Sequence, residues 1–150
     1  MFDIRPYDGA GAVTFGMSRD EVITALGQPK MVRKNRLKQT DMGYPECAVI
    51  LSADEQRVVE IVFFPEAELF IKGIDIFNDP GAFQKLVDLD GNPFEYQGTV
   101  LLMKLGIATG DFRAAHNREE KGGITAFAHG QWDDLRNKFN RFPRPSEEPM

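Results

Sequence analysis

The clearest pattern of apolar and polar positions lies near the amino end, and it predicts a short helix. Ser18 and Glu21 have the spacing of a capping box, in which each side chain accepts a hydrogen bond from the backbone N–H of the other residue. Val22 follows on the apolar side, where a hydrophobic staple with the residue before the cap would close. Gly27 can adopt a left-handed conformation and Pro29 cannot continue a helix, so we predict that the helix ends there.

Two further helices are predicted by the same reasoning. Asp79 is placed to cap a second helix with Pro80 in its first turn, and residues 90–93 (Asp-Gly-Asn-Pro) end it. Its apolar stripe consists of Phe83, Leu86 and Val87. Near the carboxyl end the spacing i, i+3, i+7 predicts a closing helix with one apolar face, formed by Trp132, Leu135 and Phe139.

Apolar runs between these segments predict β-strands. The strongest signal is a hairpin in which residues 47–51 and 57–64 flank a short polar turn. Residues 31–38 are polar and basic, as is typical of an edge strand or a loop. Other predicted strands are residues 12–15, 69–74, 99–105, 107–112 and 124–128. We expect an irregular lead-in at residues 1–11 and a solvated hairpin tip at residues 117–123.

The order of these elements predicts an α+β fold, with a twisted, mainly antiparallel sheet and short helices packed against one face. We expect one domain over residues 1–142 and a disordered tail over residues 143–150. A helix followed by strands occurs at residues 12–77 and again at residues 78–139. This leaves open a tandem of two similar units.

Composition and charge narrow the function classes. The chain has 150 residues, 42% of them hydrophobic, and a net charge of −5. Residues 30–38 hold five Lys and Arg, so the rest of the chain carries −10. This argues against a general nucleic-acid binder, whose task is mainly phosphate neutralisation. No apolar run reaches the roughly 18 residues of a membrane helix, and the start lacks a secretory pattern. If Met1 is the native start, we expect a cytoplasmic protein.

Few residues suggest catalytic chemistry. A lone Cys47 within an apolar strand is expected to be a small buried hydrophobe, in a reducing compartment. His116 and His129 could act as general bases or metal ligands, but neither has a partner at a recognised ligand spacing, and a surface role explains both. We therefore predict no catalytic residues, no metal site and no cofactor.

Two charged clusters are candidate binding surfaces. The first is acidic, lies around one Trp and consists of Glu119, Glu120, Trp132, Asp133 and Asp134. Interfaces favour aromatic anchors with a charged rim. The spacing with Leu135 and Phe139 favours instead a core position for Trp132 on the closing helix. The alternative is a basic patch formed by Arg33, Lys34, Arg36 and Lys38. It has no aromatic residues for base stacking, so an acidic protein surface suits it better than nucleic acid, and a solvated edge that discourages aggregation also explains it.

One resemblance concerns the first helix and the hairpin. The residues that carry it are Phe15-Gly16-Met17-Ser18, Glu21-Val22, Leu26-Gly27-Gln28-Pro29 and Val58-Val59-Glu60-Ile61. This pattern resembles the β-lactamase-inhibitor-like superfamily, which includes the small lipoprotein subunit of the outer-membrane barrel assembly machine. The motifs cover residues 13–64, and only the order of elements continues the likeness. The resemblance implies a non-enzymatic domain that binds another protein. Envelope members carry a signal peptide and a lipid-attachment Cys, and residues 1–30 show neither pattern, so an envelope role is not expected.

These observations lead to three hypotheses. The first is a non-enzymatic protein-binding module, such as an inhibitor or toxin-neutralising immunity protein that binds a basic enzyme as a monomer or weak homo-oligomer. The second is a small-molecule-binding or enzymatic domain with a Phe-rich pocket lined by Phe63, Phe64, Phe70, Phe77, Phe94 and Phe127. A His beside a perturbed carboxylate would favour it. The third is a structural homo-oligomer joined through the basic edge and the acidic loops.

Overall fold

The computed structural model describes residues 1–110 and 123–142, and within these ranges it confirms the α+β fold class. The elements in chain order are β1 (Phe2–Arg5), β2 (Gly9–Ala10), β3 (Val13–Thr14), α1 (Arg19–Leu26), β4 (Met31–Lys34), β5 (Thr40–Gly43), β6 (Cys47–Leu51), β7 (Val58–Phe63), β8 (Leu69–Ile71), β9 (Ile74–Asp75), α2 (Ala82–Asp90), β10 (Phe94–Tyr96), β11 (Thr99–Leu102), β12 (Ile107–Ala108), β13 (Ile124–Phe127), a 3-10 helix (Asp133–Lys138) and β14 (Asn140–Arg141).

Most strands join one large antiparallel sheet. In the described ranges its order is β14-β10-β11-β12-β13-β7-β6-β5-β4, so β7 and β13 pair in the middle, with Phe63 opposite Ile124. The predicted hairpin is confirmed as β6 and β7, with a register shift between Ile50 and Leu51. Residues 31–34 are confirmed as an edge strand, β4.

A smaller sheet corrects two expectations. Residues 1–11 are not an irregular lead-in, because they form β1 and β2. The segment 69–74 breaks into β8 and β9, and β8 pairs in parallel with β1, with Phe2 opposite Leu69. The order of this sheet is β3-β2-β1-β8-β9. The strands are two to four residues long, so the sequence pattern is too brief to reveal them.

The main core lies between the two sheets. One face of β6 contributes Cys47, Val49 and Leu51 to it, and the small sheet contributes residues such as Phe2. Val22 of α1 and Leu86 of α2 are fully buried in the same core. Both helices therefore pack against one face of the large sheet, as the sequence predicts.

The ends of α1 follow the local sequence closely. The Glu21 N–H donates to the Ser18 hydroxyl oxygen at 3.3 Å, and the Ser18 N–H donates to the Glu21 carboxylate at 3.2 Å. The capping box is therefore confirmed. Gly27 ends the helix with φ +88° but ψ −175°, so its φ is positive as expected while its conformation is not the left-handed helical one.

Helix α2 begins later than the pattern indicates. Its first residue is Ala82, because the Asp79 carboxylate accepts the Gly81 N–H at 2.8 Å in the turn before the helix. At the other end, the buried Asp90 accepts N–H groups of Lys104 and Leu105 at 2.9 and 3.2 Å. This carboxylate therefore ties the end of α2 to the turn after β11.

The predicted closing helix is wrong in type and extent. A 3-10 helix covers Asp133–Lys138, while Trp132 and Phe139 flank it, and none of its residues is buried.

Two predicted segments lie wholly or mostly outside the described residues. Of the predicted hairpin tip only Gly123 is described, and the tail at residues 143–150 is not described. None of the helices within the described ranges has the length and apolar character needed to cross a bilayer.

Candidate functional site

The large sheet has a second face, turned away from the main core, which we call the outer face. The strand registers place one row of side chains across five strands of this face: Val62, Thr125, Ala108, Leu101 and Phe94. This face is largely apolar, since strands such as β6 are buried at every position rather than at alternate ones. Apolar residues on both sides of a strand are typical of a sheet that is covered on both faces.

Five aromatic rings gather on the half of the outer face formed by β10 to β13, and we call them the aromatic surface: Phe94, Tyr96, Phe127, Trp132 and Phe139. Trp132 lies 6.2 Å from both Phe127 and Phe139, measured between ring centroids. Phe139 lies 6.0 Å from both Phe94 and Tyr96. Phe127 is buried and the other four are half-buried, so this cluster is packed but still reaches solvent.

A groove runs beside Trp132 on the same face. It has a volume of about 260 Å³, and its lining includes Val62, Thr99, Ala108 and Thr125. Trp132 forms part of its wall, and the indole N–H is shielded from solvent without a hydrogen-bond partner among the described residues. Trp132 is thus not a core residue of a closing helix, but a half-buried wall of a surface groove.

Tyr7 reaches the edge of this face from the turn between β1 and β2. Its ring stacks on His129 with a centroid distance of 3.8 Å and an angle of 9° between the planes, and its hydroxyl donates to the Met103 carbonyl. The backbone φ of +61° is unusual for an aromatic residue. Burial raises the pKa of the Tyr7 hydroxyl, while Arg136 acts in the opposite direction. The contacts hold this ring in a strained turn.

Glu60 is a half-buried carboxylate on the outer face of β7. The register places it between Ile50 of β6 and Phe127 of β13, both apolar. The Gln131 side chain donates to its carboxylate at 3.0 Å. Burial raises the pKa of Glu60, and the hydrogen bond from Gln131 only partly offsets this. Glu60 therefore links the middle of the sheet to the segment that leads to Trp132.

We expect the Glu60→Gln variant to be more stable than the wild type at pH 7, by about 1 kcal/mol. Because the folded-state pKa of Glu60 is raised above 4.5, its protonated form favours folding. That contribution is fully present below pH 4.5 and is lost as the pH rises through the folded-state pKa. Urea unfolding between pH 4 and pH 7 should show a flatter pH dependence for the variant. The exposed Glu66→Gln is the control, and equal pH profiles for Glu60→Gln and wild type would contradict the expectation.

The residues predicted to bind a partner are only partly described. Asp133 and Asp134 are exposed in the first turn of the 3-10 helix, next to Trp132. Glu119 and Glu120 lie outside the described residues, as does His116. Of the five residues predicted to bind a partner, the described ranges therefore contain three, Trp132, Asp133 and Asp134, and these are consecutive in the chain.

The basic residues of the alternative patch lie at the far end of the strand order. Arg33 and Lys34 are on β4, Arg36 and Lys38 are in the turn that follows, and all four are exposed. The Lys34 ammonium donates to the Thr40 hydroxyl at 2.8 Å, and Arg33 lies 3.6 Å from the Asp41 carboxylate. The structure thus keeps this patch separate from the aromatic surface.

The other candidate residues behave mainly as packing groups. Cys47 is buried, and burial raises the pKa of its thiol to about 12, with a smaller effect of Glu46, so it is confirmed as a buried hydrophobe. The six Phe residues do not share one pocket: Phe63 and Phe77 are in the main core, Phe64 is in a second cluster, and Phe94 and Phe127 are on the aromatic surface, while Phe70 is half-buried. Among residues 1–110 and 123–142, no group of three or more His, Cys, Asp or Glu is placed to hold a metal ion.

Sequence reasoning missed Tyr7, Glu60 and Gln131. Glu60 had a local signal, since a lone charge stands within the apolar run of β7. Tyr7 had a weaker one, because Pro6 before it favours a turn. Nothing local marks Gln131, whose contact with Glu60 spans 71 positions.

Comparisons with protein-family models, with curated proteins and with solved structures found no match to this chain.

Proposed function

We propose that this chain is a non-enzymatic protein-binding module that holds a basic partner through the aromatic surface and its acidic rim. The observation that carries the proposal is the half-buried Trp132, which stands beside a groove and is followed directly by the exposed Asp133 and Asp134. An inhibitor or immunity role is the form of binding that we favour, and the resemblance of residues 13–64 to inhibitor-like domains supports it.

The physical argument rests on how interfaces gain energy. Trp and Tyr are enriched among residues whose truncation costs most in binding, since they bury a large area with little loss of side-chain freedom. The aromatic surface offers Trp132 and Tyr96 in a rigid, packed setting. The carboxylates of Asp133 and Asp134 add negative potential at the rim, which speeds the approach of a basic partner more than it strengthens the final complex.

The test is affinity capture of a stoichiometric partner from native lysate at low and moderate salt, followed by binding measurements with variants. We expect Trp132→Ala to weaken binding by at least about thirtyfold, as for a central aromatic anchor. The double variant Asp133→Asn/Asp134→Asn should slow association several-fold at low salt and reduce its salt dependence.

The matched control is Glu66→Gln/Glu68→Gln, which removes the same charge from two exposed positions elsewhere. Equal binding by all three variants would contradict the proposal. So would the absence of a stoichiometric partner.

A small-molecule site is the second candidate. It is favoured by a cleft of about 490 Å³ whose lining includes Tyr7, His129 and Gln131. The Gln131 side chain donates a hydrogen bond to the Glu60 carboxylate, and burial raises the pKa of Glu60. Two results together would favour this function instead. The chain would capture no protein partner, and a small molecule would raise the melting temperature of the wild type but not of the His129→Ala variant. None of the six Phe residues that the sequence suggests for a pocket lines this cleft.

A further inference from the structure

The strand β4 leaves one edge of the large sheet open. In the described ranges β4 pairs with β5 on one side and with no strand on the other. Arg33 lies opposite Asp41, and the Asn35 N–H donates to the Gln39 carbonyl at 3.0 Å, so the backbone of Arg33 and Asn35 bonds toward β5. Because this direction alternates along an antiparallel strand, the backbone N–H and C=O groups of Val32 and Lys34 point to the open edge.

Apolar side chains are unusually exposed along this edge. Met31, Val32 and Leu37 expose 57%, 42% and 73% of their surface. Val32 lies opposite Met42, which is fully buried in the main core, so Val32 continues the core face to the end of the sheet. An added strand would cover it.

The charge of this edge determines which strand could be added. Residues 30–38 carry five positive charges, while the rest of the chain is acidic. The one ion pair found among these residues in the described structure is the contact between Arg33 and Asp41 at 3.6 Å, and the Arg33 side chain is 70% exposed. Two copies paired edge to edge would bring like charges together, which disfavours self-association through β4.

We propose that the β4 edge binds an acidic, extended segment of another protein by β-strand addition. The segment would form hydrogen bonds with the backbone N–H and C=O groups of Val32 and Lys34 and cover the side chains of Met31 and Val32. Its carboxylates would lie beside the exposed basic side chains of residues 30–38. A peptide backbone repeats donors and acceptors at the spacing of this edge, whereas a nucleic acid would want aromatic stacking partners, which residues 30–38 lack. The edge is remote in strand order from the aromatic surface, so this proposal does not depend on the proposed function.

The experiment uses the full chain and a synthetic peptide of alternating Glu and Val residues. Fluorescence anisotropy measures binding, and amide hydrogen exchange locates it. We expect saturable binding at low salt, with the amides of Val32 and Lys34 gaining protection. A peptide with Gln in place of Glu should bind at least about tenfold more weakly. A peptide that is N-methylated at every residue should not bind, since neither of its edges can donate to the ladder.

Protein variants separate charge from backbone pairing. Arg36→Gln/Lys38→Asn should weaken peptide binding about five- to tenfold, from the loss of two partly screened charge contacts. Lys104→Gln/Lys72→Asn is the matched control, because Lys72 is exposed and has a positive φ of 47°, as Lys38 has one of 62°. Val32→Pro removes the outward N–H and should abolish binding, with unfolding curves to confirm that the variant is folded.

Four results would overturn the proposal. The first is no binding of the Glu–Val peptide at any concentration that remains soluble. The second is equal binding of the N-methylated peptide, and the third is an equal effect of the two charge variants. The fourth is tighter binding of a single-stranded oligonucleotide than of the Glu–Val peptide, which would make the edge a nucleic-acid site.

Discussion

Replacing Phe63 by Ala is expected to lower the free energy of unfolding by about 3–5 kcal/mol. Phe63 is fully buried, and its ring lies 5.2 Å from that of Phe2 with 60° between the planes. Phe2 belongs to the small sheet and Phe63 to the large one, so this contact is one of those that join the two sheets. The substitution therefore removes the Phe63 ring, its contact with the Phe2 ring and the packing that this ring provides between the two sheets.

Urea unfolding at neutral pH measures this loss, and Phe64→Ala provides the control. Phe64 is the next residue, is half-buried, and packs against the cluster on the outer face rather than the main core. We expect the control to lose about 1–2 kcal/mol, since a partly exposed ring has less surface to return to water. Similar losses of unfolding free energy at both positions would show that Phe63 is not central to the packing between the two sheets.

Replacing Gly9 by Ala is expected to cost about 4 kcal/mol or more, or to prevent folding of the small sheet. A methyl group on Gly9 would lie 2.1 Å from the Val13 carbonyl oxygen and 2.8 Å from the Thr14 Cα. Both contacts are with backbone, which cannot move without breaking the pairing of β2 with β3. The φ of +152° is a second obstacle, because residues with a Cβ rarely adopt it.

Gly16→Ala separates these two causes. Gly16 also has a positive φ, of +96°, but no atom outside its chain neighbours lies within 4 Å of a methyl group placed there. This variant should therefore lose only the cost of backbone strain, about 1–2 kcal/mol. Thermal and urea unfolding of both variants measure the difference, and an equal loss would mean that the contact with Val13 is relieved at no cost.

Local signals explain which elements could be predicted from the sequence. The α1 cap, the β6–β7 hairpin and the α2 stop each depend on residues within a few positions of one another. The pairing of β1 with β8 joins Phe2 to Leu69, and no local pattern encodes a partner so distant. Strands of two residues, such as β2 and β14, are also too short to show alternation.

The closing helix was wrong for a different reason. The spacing of Trp132, Leu135 and Phe139 forms one face only at 3.6 residues per turn. In a 3-10 helix three residues complete a turn, so positions seven apart no longer share a face. The rings are instead gathered by contacts with residues of the large sheet, Trp132 with Phe127 and Phe139 with Phe94.

The candidate site was predictable where it depended on residue type. An aromatic residue beside carboxylates is typical of interfaces, and this predicts Trp132, Asp133 and Asp134. The position of Trp132 at a groove depends on the β12–β13 pairing, which a single sequence does not reveal. Tyr7 enters the site from another sheet, and Glu60 from another strand, so both required the tertiary structure.

Two of the long-range strand pairings, β1 with β8 and β7 with β13, also set an order of assembly. β1 cannot gain its parallel neighbour until residues 69–71 are available, and β7 remains an edge of the large sheet until residues 124–127 arrive. Closing such loops is entropically slow compared with forming a local hairpin. During synthesis, a chain that ends before β13 therefore carries β7 as an open, apolar edge, and it is this nascent intermediate, rather than the finished fold, that is most exposed to aggregation.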